Sequence, residues 1–226
     1  CVLGTGEIAL LTASNSVWVL DGNNNLSALA GKPAGPARRV WGKSPTDLWV
    51  VGSSGAEHYD GNNWTIKLGK PATDLWVDGS NNLWVTLVTA GIYRTPLSQI
   101  NFQPVANAPA GSYAAIGGRG SVVVAVMASG SVNRYQGGTW SNLLPISSGL
   151  IVQRVAVANA STVYAVVKDK TSSKRSLLRY ASGWKAMTFQ DVMDVWTNGP
   201  NDVWVATQTS GLWHHDGTQW VSAKPT

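Results

Sequence analysis

Three histidines, twelve tryptophans and a single cysteine are the side chains of this 226-residue chain with the most accessible chemistry. His58 and His214 each stand two residues before an aspartate, Asp60 and Asp216, and His215 follows His214 directly. A metal centre needs two or three ligands converging on one point. His214 and His215 are neighbours on an expected strand, where successive side chains point to opposite faces, so the two do not share a metal. Neither a metal site nor a cofactor is expected. Asp47, Asp60, Asp78, Asp202 and Asp216 fall in turns, where an Asp side chain that hydrogen-bonds nearby backbone is sufficient reason for the residue. The sequence contains no GxSxG elbow, phosphate-cradling loop or nucleotide fingerprint. A carboxylate pair for acid–base work would have to be assembled by the fold, and a non-enzymatic role is the expectation.

The tryptophans invite a sugar site, because sugars lay their apolar faces on indole rings. Most of them recur by position and read as packing. Trp213 is the exception, since the corresponding places hold Glu57 and other non-aromatic residues, and it is the candidate for glycan binding. Cys1 is the only cysteine, so the chain forms no internal disulfide and no thiolate metal site. A bacterial lipoprotein begins at Cys once its signal peptide is removed and the sulfur acylated. Cys1 is therefore a candidate lipidation site, the alternative being a boundary that happens to fall there. Either way an extracytoplasmic setting, in the bacterial envelope or secreted, is expected. No apolar run reaches the 18 or so residues that cross a bilayer as a helix.

These residues are carried by a repeat. Its fullest copies are VWGKSPTDLWVVGSSGAEHYDGNNW and VWTNGPNDVWVATQTSGLWHHDGTQW. The anchors Trp18, Trp49, Trp84, Val123, Tyr164 and Trp204 recur at a spacing of roughly 31 to 41 residues, the range in which one repeat is a small sheet needing neighbours to cover it. In the second copy an innermost strand ends at Val40-Trp41, turns through Pro45 and returns at Leu48. That hairpin sets Trp41 opposite Trp49, Trp76 opposite Trp84 and Trp196 opposite Trp204, with Leu10, Ala115 and Ala156 replacing the inner Trp elsewhere. A third strand follows, then a tight turn at Asp60-Gly61, Gly137-Gly138 or Asp216-Gly217, then a fourth strand opened by Trp64, Trp140, Trp184 or Trp220. The expectation is a single all-β domain over residues 1–226, a β-propeller of six mainly four-stranded antiparallel blades. Five or seven blades are the alternatives, and a closed monomeric ring is the simplest assembly.

The unit VWGKSPTDLWVVG…HYDGNNW resembles the propeller repeats of bacterial secreted and surface proteins, including lipoproteins. It is more distantly similar to the Asp-box propellers of sialidases and to tectonin-type lectins. The Asp-box places Ser or Thr two residues before its Asp and Gly two after. Here His58 or His214 holds the first place and Gly follows the Asp at once, which argues against a sialidase.

Charge supplies the remaining clue. The net charge is +5. In a propeller the turns carrying Asp47, Asp60, Asp78, Asp202 and Asp216 share one rim, diluted by Lys43 and Arg119. Lys32, Arg38, Arg39, Lys70, Lys168, Lys170, Lys174 and Arg175 belong to the other, with Asp169 as a local exception. A basic rim favours an acidic protein, an anionic glycan or a charged surface as partner. The alternative for residues 168–175 is a solvated loop. Nucleic acid is not expected, because the basic residues are not interleaved with aromatics as in a binding module. The expected function is a binding or scaffold propeller that contacts its partner through those eight basic residues. A lectin with sites between blades is the runner-up, and a propeller hydrolase or lyase comes third.

Overall fold

The computed structural model describes residues 1–89 and 91–223. They form six antiparallel sheets, the blades of a β-propeller, and every sheet is a simple meander. Blade 1 has β1 (Ile8–Leu11), β2 (Val17–Leu20) and β3 (Leu26–Ala28). Blade 2 has β4 (Ala37–Ser44), β5 (Asp47–Gly52), β6 (Gly55–Tyr59) and β7 (Trp64–Leu68). Blade 3 has β8 (Ala72–Val77), β9 (Asn82–Leu87), β10 (Ile92–Pro96) and β11 (Gln103–Pro104). Blade 4 has β12 (Tyr113–Arg119), β13 (Val122–Met127), β14 (Val132–Gln136) and β15 (Thr139–Leu143). Blade 5 has β16 (Leu150–Asn159), β17 (Thr162–Asp169), β18 (Arg175–Tyr180) and β19 (Trp184–Gln190). Blade 6 has β20 (Val192–Gly199), β21 (Asp202–Thr207), β22 (Gly211–His215) and β23 (Trp220–Ser222).

The strands gather into two compact units. Cys1–Val77 with Asn81–Ala106 holds blades 1 to 3, and Asp78–Ser80 with Asn107–Thr226 holds blades 4 to 6. Within each unit the packing follows one rule. The face bearing the repeated aromatic of one blade is covered by the aliphatic face of the next. Trp49 and Val51 of blade 2 pack on Leu75, Leu83 and Val85 of blade 3. Tyr164 and Val166 of blade 5 pack on Val195, Val203 and Val205 of blade 6. A residue such as Trp49 or Trp84, 1% exposed, removes about 150–250 Å² from water, roughly 4 to 6 kcal/mol of gross burial. This explains why aromatics recur at the position and why a lone blade could not stand.

The expected pairs Trp41–Trp49, Trp76–Trp84 and Trp196–Trp204 are all in register. Ala156 faces Tyr164 as expected. Three expectations are corrected. Ala115 lies opposite Val126, not Val123. The β12–β13 turn closes at Arg119 and Val122 without the bulge that the other long inner hairpins place beside this turn. The anchor of blade 4 is accordingly Val124, which packs with Val155 and Ala165 of blade 5.

The third correction concerns blade 1, whose expected frame is displaced by one strand. Cys1 and Ala9 exchange backbone hydrogen bonds of 2.7 and 2.8 Å, and Val2 bridges Ile8, so the short stretch 1–3 is the innermost strand. Trp18 then lies on the third strand, and Asp21-Gly22-Asn23-Asn24 is the counterpart of Asp60-Gly61-Asn62-Asn63. The packing agrees, because Leu3, Ala9 and Val17 cover Leu48, Val50 and Tyr59 of blade 2. Val2 and Leu3 are thus used inside blade 1.

Candidate functional site

The turns that carry the aspartates are self-contained. Asp60 Oδ1 accepts the amides of Asn62 and Asn63 at 2.9 and 2.8 Å, and Asp21 Oδ1 accepts those of Asn23 and Asn25, both at 2.8 Å. Asp216 receives Thr218 Oγ1 at 2.6 Å and the amides of Thr218 and Gln219. Hydrogen bonds to the ionised form hold these carboxyls below the usual carboxylate range: chiefly the Asn63 amide for Asp60, the Asn25 side chain for Asp21 and the Thr218 hydroxyl for Asp216.

Asp47 and Asp202 do more than turn the chain. His58 Nε2 lies 2.9 Å from Asp47 Oδ1, and His214 Nε2 lies 2.9 Å from Asp202 Oδ1. Each imidazole also packs on the aromatic opposite it, Trp49 at 4.7 Å and Trp204 at 4.2 Å between ring centroids. Trp204 Nε1 donates to the same Asp202 oxygen at 2.8 Å. An Asp–His–Trp set repeated in blades 2 and 6 ties the first turn to the third strand, a structural assignment. Among the described residues no group of three His, Cys, Asp or Glu side chains could hold a metal ion.

The basic candidates divide between the units. In the first, Arg39 Nε sits 3.0 Å from Asp74 Oδ1, whose side chain is 6% exposed, so this cation is tied into the fold. Lys70 Nζ donates to Tyr93 Oη at 2.7 Å and lies over that ring. Lys32 and Arg38 are exposed. In the second, Lys168, Lys170, Lys174 and Arg175 are brought together on the β17–β18 hairpin, where Lys168 pairs with Arg175. Its turn is ordered by Asp169, whose Oδ1 accepts the Ser172 and Thr171 amides and Ser172 Oγ at 2.6, 3.0 and 2.9 Å. These bonds, the Ser172 amide first, keep the Asp169 carboxyl low. Lys170 Nζ reaches Ser148 O at 2.6 Å and Arg175 Nη1 reaches Met193 Sδ at 2.9 Å. Among the described residues none of the four forms an ion pair.

At the same end of blades 5 and 6 a pocket of about 410 Å³ opens between β19 and β22. Phe189, Trp213 and Trp220 form its aromatic wall. Phe189 meets Trp213 edge-on at 5.7 Å and Trp220 at 4.7 Å. Gln190, Asp191, Thr188, Thr209 and Ser210 add polar groups. Asp191 holds a left-handed backbone (φ 51°) and its carbonyl accepts the Gln208 amide at 2.9 Å. Register defines what stands at the Trp213 position in the other blades: Trp18, Glu57, Tyr93, Asn133 and Leu178. Trp213 is therefore not the only aromatic there, contrary to the expectation from sequence. Glu57, 3% exposed, accepts the Ala34 amide at 2.8 Å, and Tyr93 accepts Lys70, so this position reaches the segment entering its own blade. Trp213 Nε1 has no such partner. Trp220 is expected from sequence only as the start of a fourth strand, and Phe189 and Asp191 carry no signal of their own, since only the fold brings strands of adjacent blades together. Cys1 is exposed and forms no disulfide.

Comparison of folds places these blades among known propellers. A chain titled "YCF48 bound to D1 peptide" is 19% identical, with a TM-score of 0.65 over 97% of this chain and 79% of that one. The computationally designed Ika8 protein is 12% identical, with a TM-score of 0.66 over 94% and 69%. A chain of the Mitotic Checkpoint Complex is 11% identical, with a TM-score of 0.59 over 96% and 89%. The fold is a β-propeller. No family model matches the sequence, and a search of curated proteins gives no match.

Proposed function

We propose that this chain is a non-catalytic binding propeller that holds an acidic segment of a protein partner. The carrying observation is the β17–β18 hairpin, where Lys168, Lys170, Lys174 and Arg175 stand together without an ion pair among the described residues. Asp169, the nearest carboxylate in sequence, is occupied by the turn it builds. Unneutralised charge of one sign raises the local concentration and association rate of the opposite sign. Propellers of similar fold are found with a peptide and within a protein complex, which supports a polypeptide partner.

The test uses a surface-tethered Glu/Asp-rich peptide as probe, at low and at physiological salt. Exposed charge pairs are screened over about 8 Å at physiological ionic strength, so binding should weaken as salt rises. Replacing all four cations by Ser should abolish binding and leave the unfolding midpoint unchanged. Failure of the parent chain to bind at low salt, or equal binding by the variant, refutes the proposal. An extracytoplasmic address belongs to the same proposal. Absence of the protein from envelope and secreted fractions would overturn it.

A further inference from the structure

From the pocket between blades 5 and 6 we infer that the chain carries a second binding site, for a neutral oligosaccharide, independent of the acidic-partner surface. Its volume, about 410 Å³, lies within the range of about 300–1,000 Å³ common to small-molecule sites. The lining sorts the ligand classes. Among the described residues Asp191 is the only charged one in the lining, so that lining offers no cation to a phosphate, a carboxylate or an acidic sugar. A single carboxylate is also too little to hold a metal ion.

Three aromatic rings and several hydroxyl and amide groups remain, a combination that suits a polyol. The C–H faces of a sugar carry slight positive charge and settle against the negative face of an aromatic ring, while its hydroxyls need donors and acceptors at the edge. Such groups are free here. The Gln190 amide, the Asp191 carboxylate and the Thr209 hydroxyl have no hydrogen-bonding partner among the described residues. Asp191 moreover holds a left-handed backbone, φ 51°, in the connection between blades and lines the pocket.

The repeat strengthens the assignment. In blades 2 and 3 the residue at the Trp213 position is engaged with the incoming segment, through Glu57 to Ala34 and Tyr93 to Lys70. In blade 6 the indole makes no such bond and borders open space. What is a structural clasp elsewhere is here the wall of a pocket.

Two variants keep the backbone safe. Trp213→Leu installs the residue that blade 5 already carries as Leu178, and Asp191→Asn keeps a residue type that tolerates positive φ. The experiment is saturation-transfer NMR followed by calorimetry of the whole chain with a panel of neutral tetrasaccharides of glucose, mannose and N-acetylglucosamine, up to millimolar concentration. One class should bind. Trp213→Leu should weaken it by about tenfold or more and Asp191→Asn by about threefold, while the Ser variant of the four cations binds as the parent does. Absence of binding across the panel overturns the inference. So does binding that survives both substitutions, or an acidic peptide that alone depends on Trp213.

Discussion

Gly55 and Gly91 open the third strand of blades 2 and 3, in the same compact unit and at the same register, since Ala56 pairs with Val51 and Ile92 with Thr86. Both have left-handed backbones, φ 109° and 87°. Alanine at either position bears the conformational cost of positive φ, about 1–2 kcal/mol. That cost is partly offset because Ala also restricts the unfolded chain, leaving about 1 kcal/mol net for Gly91→Ala. Around Gly91 an added Cβ meets nothing within 4 Å, whereas at Gly55 it would stand 1.8 Å from the Leu68 carbonyl oxygen. Ordinary contact begins at 3.4 Å, so the strands must part by 3.4 − 1.8 = 1.6 Å. Doing so breaks a ladder bond at the Ala56–Leu68 pair, about 1 kcal/mol, and lifts Leu68 from its cluster, about 2 kcal/mol. Gly55→Ala should therefore destabilise the first unit by about 4 kcal/mol, some 3 kcal/mol more than Gly91→Ala. Urea unfolding of both variants measures the difference. Losses equal within about 0.5 kcal/mol would refute the claim that close approach of the blade's own outer strand, and not φ alone, selects glycine here.

Three further outcomes test the packing and the electrostatics. Arg39→Ala should destabilise the first unit by about 2 kcal/mol or more in urea, because it strips the guanidinium from the buried Asp74 carboxylate, and should leave acidic-peptide binding nearly unchanged. Asp202→Ala removes the acceptor shared by His214 and Trp204 and should lower the melting temperature, with a loss of about 1–3 kcal/mol, whereas Asp202→Asn should retain part of it. Burial pushes the Tyr113 hydroxyl up to about 12 from 10, so the stability linked to its neutral form is fully present below pH 10 and lost as pH rises towards 12. Tyr113→Phe should remove that part of the alkaline destabilisation, and a urea midpoint whose pH slope in this window is unaltered would count against it.

The blade count, the meander and the Trp–Trp registers were legible because they follow from spacing, and in a strand pair spacing is geometry. The errors came from the same source. Spacing points to Val123 where the structure has Val124, because three consecutive valines carry no period-two signal, and only the turn that closes at Arg119 and Val122 decides which of them faces blade 5. Trp18 was aligned on its indole, whereas the informative match was the polar one, Asp21-Gly22-Asn23-Asn24 with Asp60-Gly61-Asn62-Asn63, reinforced by Gly31-Lys32-Pro33-Ala34 with Gly69-Lys70-Pro71-Ala72. Turn chemistry marks the frame better than a large side chain does, because an Asp that caps its own turn has one place to stand, while an indole is useful on either face of a sheet. Trp196 illustrates the point: it is paired as expected, yet 58% exposed, since no blade of its own unit follows to cover that face.

The candidate sites were less legible because they depend on partners that spacing does not name. From sequence Arg39 and Lys174 are equivalent cations, and only Asp74 separates them. The row Trp18, Glu57, Tyr93, Asn133, Leu178 and Trp213 makes the same point more generally. The second-strand row paired with it holds Val50, Val85, Ala125, Ala165 and Val205 in blades 2 to 6, all buried, so little freedom is left there for recognition. In blades 2, 3, 5 and 6 this row meets the segment entering the blade, and those segments differ in composition. A carboxylate suits an approaching amide, a phenol suits a lysine, and leucine suits an aliphatic lining. The row can vary without loss of the ring because its contact is local to one junction, and for that reason it is where a repeat fold can acquire a pocket at one junction while keeping the others closed.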